Sequence, residues 1–208
     1  MKRAVSPGSV FAVAAGLTII LAAVALPPEV RGQSDVRPLI ENERVTVWDI
    51  AAGGTLPSVT PALDMVVLSI HGKDADVNFR PKGTAKSDGQ HARTILIALQ
   101  DKIVAPLANT SGYADAFPRP GSKRVLDNAR VVAWDYTWTP GQPTPMHFHD
   151  KDVVVTYLAD GELTSTDPKG ASVVTPHSFG FTKFNTRDRV HTETLTKGQG
   201  RAIIVELK

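Results

Sequence analysis

Three of the six histidines in this chain have the spacing of metal ligands. His147 and His149 are separated by one residue at the start of a predicted strand, where alternation places both imidazoles on one face. His191 lies farther along the chain, in a polar stretch that leads into the last predicted strand. Two imidazoles from one strand and a third from a facing strand leave open positions at a divalent metal. The spacing therefore predicts a metal centre for substrate binding or catalysis.

Residues at even spacing along a predicted strand share one of its faces and are candidates to surround this centre. If the segment around His191 is extended, Arg189 and Glu193 share its face, and outer groups of this kind commonly orient a metal-bound imidazole. The alternative interpretation is an Arg–Glu pair at the surface. Thr156 shares a strand face with Val154 and is predicted to line the pocket. An arginine beside a metal would favour an anionic substrate such as a carboxylate.

The composition excludes several classes of site and partner. The chain has no cysteine, which rules out disulfides, iron–sulfur clusters, thiolate zinc sites and cysteine nucleophiles. Its 23 Lys and Arg residues nearly balance its 21 Asp and Glu residues. Without Lys2, Arg3, Arg31 and Glu29 of the N-terminal segment, 20 residues of each sign remain. We therefore expect no nucleic-acid partner, because such a partner requires a clustered basic excess.

The first 32 residues have the pattern of a signal peptide. Two basic residues precede Val10–Leu26, an uncharged apolar run of 17 residues. Cleavage is predicted after Ala25 or after Gly32, which leaves a periplasmic or secreted protein. The alternative is an uncleaved membrane anchor, because the run is close to the shortest that spans a bilayer.

One unit of sequence occurs twice after this leader. Residues 41–50 (ENERVTVWDI) resemble residues 127–136 (DNARVVAWDY). Residues 93–100 (RTILIALQ) resemble residues 201–208 (RAIIVELK) in the same way. The two copies differ in length between these segments, so the first copy is shorter in its middle.

The repeated segments predict β-structure. They are short, rich in β-branched residues and bounded by Gly, Pro or polar residues, as in an all-β sandwich or barrel. Trp134, Tyr136 and Trp138 alternate onto one face, which we interpret as core packing. The predicted units are a leader, a first repeat, a linker and a second repeat, over 1–32, 33–104, 105–126 and 127–208.

The histidine spacing resembles the two motifs of the cupin superfamily. The first motif, G-x5-H-x-H-x4-V-x6-G, is formed by Gly141, His147, His149, Val154 and Gly161. The second keeps Gly180 and His191 at the expected spacing but lacks the usual Pro, second Gly and Asn. Val154 replaces the glutamate ligand of the first motif. Asp152 is the candidate to replace that glutamate, although a site of three histidines alone is the preferred interpretation.

The resemblance implies a fold and a class of function. The fold would be all-β, with two cupin-type jelly-roll barrels (double-stranded β-helices), the N-terminal one degenerate because Thr60, Ala62 and Lys86 occupy its ligand positions. The metal would be Fe, Mn, Ni, Zn or Cu. The function would be that of a small-molecule metalloenzyme of the dioxygenase, isomerase or lyase type. The alternatives are a non-catalytic ligand- or metal-binding module and a relic cupin with a structural role. Cupins often dimerise, so a homodimer is also implied.

Overall fold

The computed structural model describes residues 37–57, 62–84 and 92–208. The predicted leader, and with it both cleavage sites, lies outside these residues, as do Thr60 and Lys86. In the part of the chain that is described, no helix has the length and apolar character needed to cross a membrane.

The first repeat forms one antiparallel sheet, here called sheet 1. Its strands are β1 (Ile40–Glu41), β2 (Val45–Ile50), β3 (Asp64–His71), β4 (Asp74–Arg80) and β5 (Arg93–Leu99). Their order across the sheet is β1-β2-β5-β3-β4. The central strand, β5, is buried on both faces, as its nearly continuous apolar sequence requires.

The second repeat forms two further five-stranded sheets. Its strands are β6 (Ala114–Asp115), β7 (Ser122–Asp127), β8 (Val131–Trp138), β9 (His147–His149), β10 (Val153–Tyr157), β11 (Gly161–Thr166), β12 (Ser172–His177), β13 (Thr182–Asn185), β14 (Arg189–Gly198) and β15 (Gly200–Leu207). Sheet 2 has the order β13-β10-β15-β8-β7, and sheet 3 has the order β12-β11-β14-β9-β6. A shared core that includes Trp134, Tyr136 and Trp138 joins them. The predicted all-β jelly-roll fold and the packing role of this aromatic stripe are therefore confirmed.

The segment predicted to be a linker, residues 105–126, contributes strands to these sheets. β7 pairs with β8 at the edge of sheet 2, and β6 pairs with β9 at the edge of sheet 3. The Pro and Gly residues that suggested a linker bound these short strands.

Sheet 1 repeats the strand order of sheet 2. The sequence repeat relates β2 to β8 and β5 to β15, and both pairs are neighbours in their sheets. Within its described residues, the N-terminal repeat forms this single sheet, without a counterpart of sheet 3. In the second repeat, β9, β11, β12 and β14 lie between the strands of sheet 2 and build the additional sheet. The first repeat has no room for counterparts of β11 and β12, since β3 and β4 form a tight hairpin.

Sheets 1 and 2 pack face to face through apolar side chains. Sheet 1 contributes to this core Val45, Val47, Val66, Leu68, Ile70, Ile95, Ile97 and Leu99. Sheet 2 contributes Val131, Ala133, Val154, Ile203, Val205 and Leu207, together with Leu158 just beyond β10. Burial of apolar surface is the main favourable term in such packing. The first repeat therefore covers a sheet face that would otherwise be an exposed apolar patch.

Two reciprocal ion pairs lock the repeats together. Arg44 of the first repeat contacts Asp152 of the second at 2.9 Å. Its counterpart in the second repeat, Arg130, contacts Asp64 of the first at 2.8 Å. Each repeat thus gives an arginine and receives one, as in an isologous interface between two copies of one chain.

Removal of Asp152 tests this contact. The side chains of Arg44 and Asp152 are only 6% and 10% exposed, so Asp152→Ala leaves a buried guanidinium without its counter-charge. We expect a loss of about 3–5 kcal/mol in the free energy of unfolding, measured by urea denaturation. Glu43→Gln is the control, because Glu43 pairs with Lys102 at the exposed surface. Equal midpoints for the two variants would contradict the account.

Candidate metal centre

The pairing of β9 with β14 brings the three predicted histidines together. These strands run antiparallel, and their register places His191 directly opposite His147. Alternation along β9 turns His149 to the same side as His147, as predicted, while Phe148 between them is buried in the opposite direction. The period of the strand and the register of one pair of strands therefore position all three imidazoles.

The three imidazoles have ligand geometry. One nitrogen from each ring lies within 4.8 Å of the others, and all three residues are buried. The Nε2 atoms of His149 and His191 are 3.3 Å apart. Two nitrogens that each lie about 2.1 Å from a shared metal are separated by roughly 3 Å, so the His149–His191 pair is close to the spacing that coordination requires.

The surroundings of His147 leave its Nε2 lone pair free. Its Nδ1 lies 2.8 Å from the carbonyl oxygen of Pro145, and donation to that oxygen assigns the lone pair to Nε2. One guanidinium nitrogen of Arg119 lies 3.1 Å from Nδ1 and 2.5 Å from Nε2. The lone-pair directions of the two ring nitrogens diverge in the ring plane, so an atom close to both lies against the ring face. The contact therefore does not block in-plane coordination.

All three imidazoles are held in the neutral form that binds metals. Burial, assisted by the positive charge of Arg119, lowers the pKa of His147 to about 3. Burial also lowers the pKa of His191 to about 4, although the nearby Glu193 opposes this effect. The pKa of His149 is well below its usual value because of burial and the charge of Arg189. Neutral imidazoles that share a buried site suit a divalent transition metal, whereas magnesium and calcium prefer oxygen ligands.

Glu193 supplies the carboxylate of the site. Its Oε1 lies 3.7 Å from Nε2 of His191, and its Oε2 accepts hydrogen bonds from Arg119 at 3.0 Å and from Trp138 at 3.1 Å. Burial alone would raise the pKa of Glu193, but Arg119 and the neighbouring histidines hold it at about 2. The carboxylate is therefore charged across the physiological pH range. The alternative of a surface Arg189–Glu193 pair is wrong, because Glu193 is internal and pairs with Arg119.

Arg119 belongs to this centre, and sequence reasoning missed it. Besides its contacts with Glu193 and His147, its guanidinium packs over the rings of Tyr136 and Phe117, at 4.3 Å and 4.7 Å from their centroids. It lies in the segment predicted as a linker and outside both motifs. Its position between two prolines indicates a restrained loop, but no local pattern indicates that the loop reaches the histidines.

The prediction that Thr156 lines the pocket is wrong, because the neighbouring residues of β10 face the cavity instead. Val153 and Val155 of β10 face the cavity beside the histidines, whereas Val154 faces the core between sheets 1 and 2. Thr156 is on the side of Val154, and its hydroxyl contacts the hydroxyl of Thr182 at 3.1 Å. The two residues do share a face, as predicted, but that face points away from the metal centre.

Asp152 is not available as a replacement ligand. One carboxylate oxygen contacts Arg44, and the other accepts a hydrogen bond from the backbone N–H of Arg187 at 2.9 Å. Its role is to join the repeats, so the structure brings together three histidines without Asp152.

Two motif glycines have backbone conformations that favour glycine over other residues. Gly141 and Gly180 have φ angles of 69° and 84°, in the left-handed region that favours glycine. The motif therefore specifies turns as well as ligands.

A cavity of about 180 Å³ opens beside the centre. Its charged and imidazole side chains are Arg119, His149, Lys183, Arg189, His191 and Glu193. The prediction that Arg189 and Glu193 line the pocket agrees with this placement.

Comparison with known proteins gives structural likenesses only. No protein-family model and no curated protein matches the sequence. A cupin domain from Bordetella pertussis Tohama I is 26% identical over 45% of this chain and 99% of its own, with a TM-score of 0.39. The polyketide cyclase RemF from Streptomyces resistomycificus is 22% identical over 50% of this chain and 80% of its own, with a TM-score of 0.35.

A third similar structure extends over both repeats. It is a cupin 2 conserved barrel domain protein from Leptotrichia buccalis, 10% identical, which covers 82% of this chain and 87% of its own, with a TM-score of 0.45. These likenesses concern the fold and say nothing of what this chain binds.

Glu193→Gln tests the role of the carboxylate. The variant removes a negative charge next to His191 and leaves Arg119 without its counter-charge. We expect cobalt(II) binding, followed by visible absorption, to weaken about ten- to a hundredfold. Glu162→Gln is the matched control, because Glu162 pairs with Lys197 away from the cavity. Unchanged affinity in Glu193→Gln would show that the carboxylate does not act on the centre.

Proposed function

We propose that this chain, which has the cupin fold, binds one divalent transition metal through His147, His149 and His191 and acts with it on a small molecule. The observation that carries the proposal is the convergence of three buried imidazole nitrogens within 4.8 Å of one another. A buried cluster of neutral imidazoles is costly to assemble without a partner, because its polar nitrogens are removed from water.

The donor set narrows the choice of metal. Three neutral nitrogens and no thiolate suit Fe, Mn, Ni, Zn or Cu, among which geometry and availability decide. Three protein ligands leave coordination positions open, as in catalytic rather than structural sites. Among the described residues, the open side of the cluster adjoins the cavity that holds Arg189 and Lys183.

A bound metal would supply Lewis acidity, which polarises a substrate oxygen or activates water or dioxygen. The protein's own residues do the rest. Pro145 fixes the orientation of the His147 ring through Nδ1. Glu193 adds negative charge beside His191, and Arg119 and Trp138 hold that carboxylate in place. Val153, Val155 and Ile204 form the apolar part of the cavity wall.

A non-catalytic binding module is the second candidate, and one observation favours it. Oε2 of Glu193 is occupied by Arg119 and Trp138, and Oε1 faces His191. Glu193 is the one carboxylate among the described residues that line the cavity, so no free carboxylate is placed to act as a general base there. Metal-dependent turnover of a small molecule would support the enzyme, and binding without turnover would support the module.

Export is part of the proposal and concerns residues outside the described ranges. Val10–Leu26 supports it by length and composition alone. The mass of the protein recovered from its native host would show cleavage after Ala25 or Gly32. Recovery of the intact chain from the membrane fraction would favour the anchor instead.

Metal content tests the central proposal. We expect about one equivalent of a transition metal in the purified protein by elemental analysis, and its loss in His147→Ala and His191→Ala. His71→Ala is the control, because His71 is an exposed residue at the end of β3. Absence of metal after reconstitution with each of the five ions in turn would overturn the proposal and favour a relic cupin with a structural role.

A further inference from the structure

The cavity beside the histidines has more positive than negative charge. Arg119, Lys183 and Arg189 line it, and Glu193 is the one carboxylate among its described lining residues. Glu193 is already paired with Arg119 at 3.0 Å. Neither Lys183 nor Arg189 forms an ion pair with a carboxylate in the described part of the chain.

Lys183 and Arg189 are also short of hydrogen-bond partners. The ammonium of Lys183 has no hydrogen bond or ion pair with the described residues, and it lies 5.7 Å from the centroid of the Tyr157 ring. Arg189 donates through Nε to the carbonyl oxygen of Thr186, but its Nη2 is buried without a partner. Lys183 and Arg189 are half-buried, and charges that are removed from water are normally paired, so two cations without a carboxylate partner at one cavity suit that cavity to receive an anion.

The two cations reach the cavity from different sheets. Lys183 is on β13, opposite Val155 of β10 in sheet 2. Arg189 begins β14 in sheet 3, where it lies opposite His149. An anion held between them would therefore lie next to a proposed metal ligand.

We propose that Arg189 and Lys183 form a carboxylate-binding subsite, so that the substrate is a compact organic acid with its carboxylate on these cations and its other end toward the histidines. The position of that other end rests on the proposed metal function, whereas the charge argument does not. The planar guanidinium of arginine suits the two oxygens of a carboxylate. A cavity of about 180 Å³ limits the ligand to a small acid, since cavities of about 150 Å³ hold a molecule the size of benzene.

Calorimetric titration of the metal-free full-length protein with malonate tests the subsite. We expect malonate to bind and its neutral analogue malonamide not to bind. Arg189→Gln and Lys183→Gln should each weaken malonate binding by about tenfold or more, as expected for loss of a charge-assisted hydrogen bond. Arg124→Gln is the matched control, because Arg124 is exposed and pairs with Asp127 outside the cavity. Its affinity should equal that of the unmodified protein.

Charge-conserving variants are the control for loss of malonate binding through misfolding. Arg189→Lys and Lys183→Arg keep the positive charge and should bind malonate more tightly than the glutamine variants. Equal binding of malonate and malonamide, equal affinity in all variants, or no binding of malonate would overturn the proposal. Tighter binding of inorganic phosphate through the same two residues would overturn the assignment to a carboxylate.

Metal content, measured on the same samples, separates this proposal from the proposed function. Arg189→Gln and Lys183→Gln should retain the metal, because neither residue is one of the proposed ligands. Metal binding without malonate binding would overturn only the subsite. Charge-dependent malonate binding by a protein that takes up no metal would overturn only the metal function.

Discussion

The antiparallel pairing of β9 with β14 is the constraint on which the rest of the site depends. β9 has only three residues, yet its register with β14 sets His147 opposite His191 and His149 opposite Arg189. A shift of one residue would turn the imidazoles of one strand to the other face and separate the cluster. The pairing of β9 with β6 on its other side, and the turns at the motif glycines, hold this short strand in register. Metal ligands and proposed substrate contacts are thus positioned by the same backbone hydrogen bonds.

One repeated unit serves two purposes in this chain. The second copy has the additional strands that form sheet 3 and contribute the histidines. The first copy retains the sheet that packs against sheet 2. It also retains Arg44 and Asp64, which form ion pairs with Asp152 and Arg130 of the second copy, respectively. Although Thr60, Ala62 and Lys86 occupy its ligand positions, the first copy has a structural role, since it covers the apolar outer face of sheet 2 behind the cavity.

Local pattern predicted the parts of the site that depend on local geometry. His147 and His149 could be placed because alternation along a strand is local, and His191 because its motif fixes its distance from Gly180. Thr156 was misplaced because the face that β10 shows to the cavity depends on where the strand begins after an irregular turn. Asp152, Arg119 and Lys183 could not be assigned, because their contacts join segments far apart in the sequence. A copy of the repeat was visible in the sequence, but the loss of one sheet from it was visible only in the topology.

X-ray absorption spectroscopy of the metal-loaded protein tests the central claim most directly. We expect a shell with three imidazole nitrogens at about 2.0–2.1 Å for zinc, and no thiolate, since the chain has no cysteine. The same shell should persist in Asp152→Asn, because that carboxylate is bound to Arg44. A first shell made of oxygen atoms with fewer than three imidazoles would contradict the three-histidine centre.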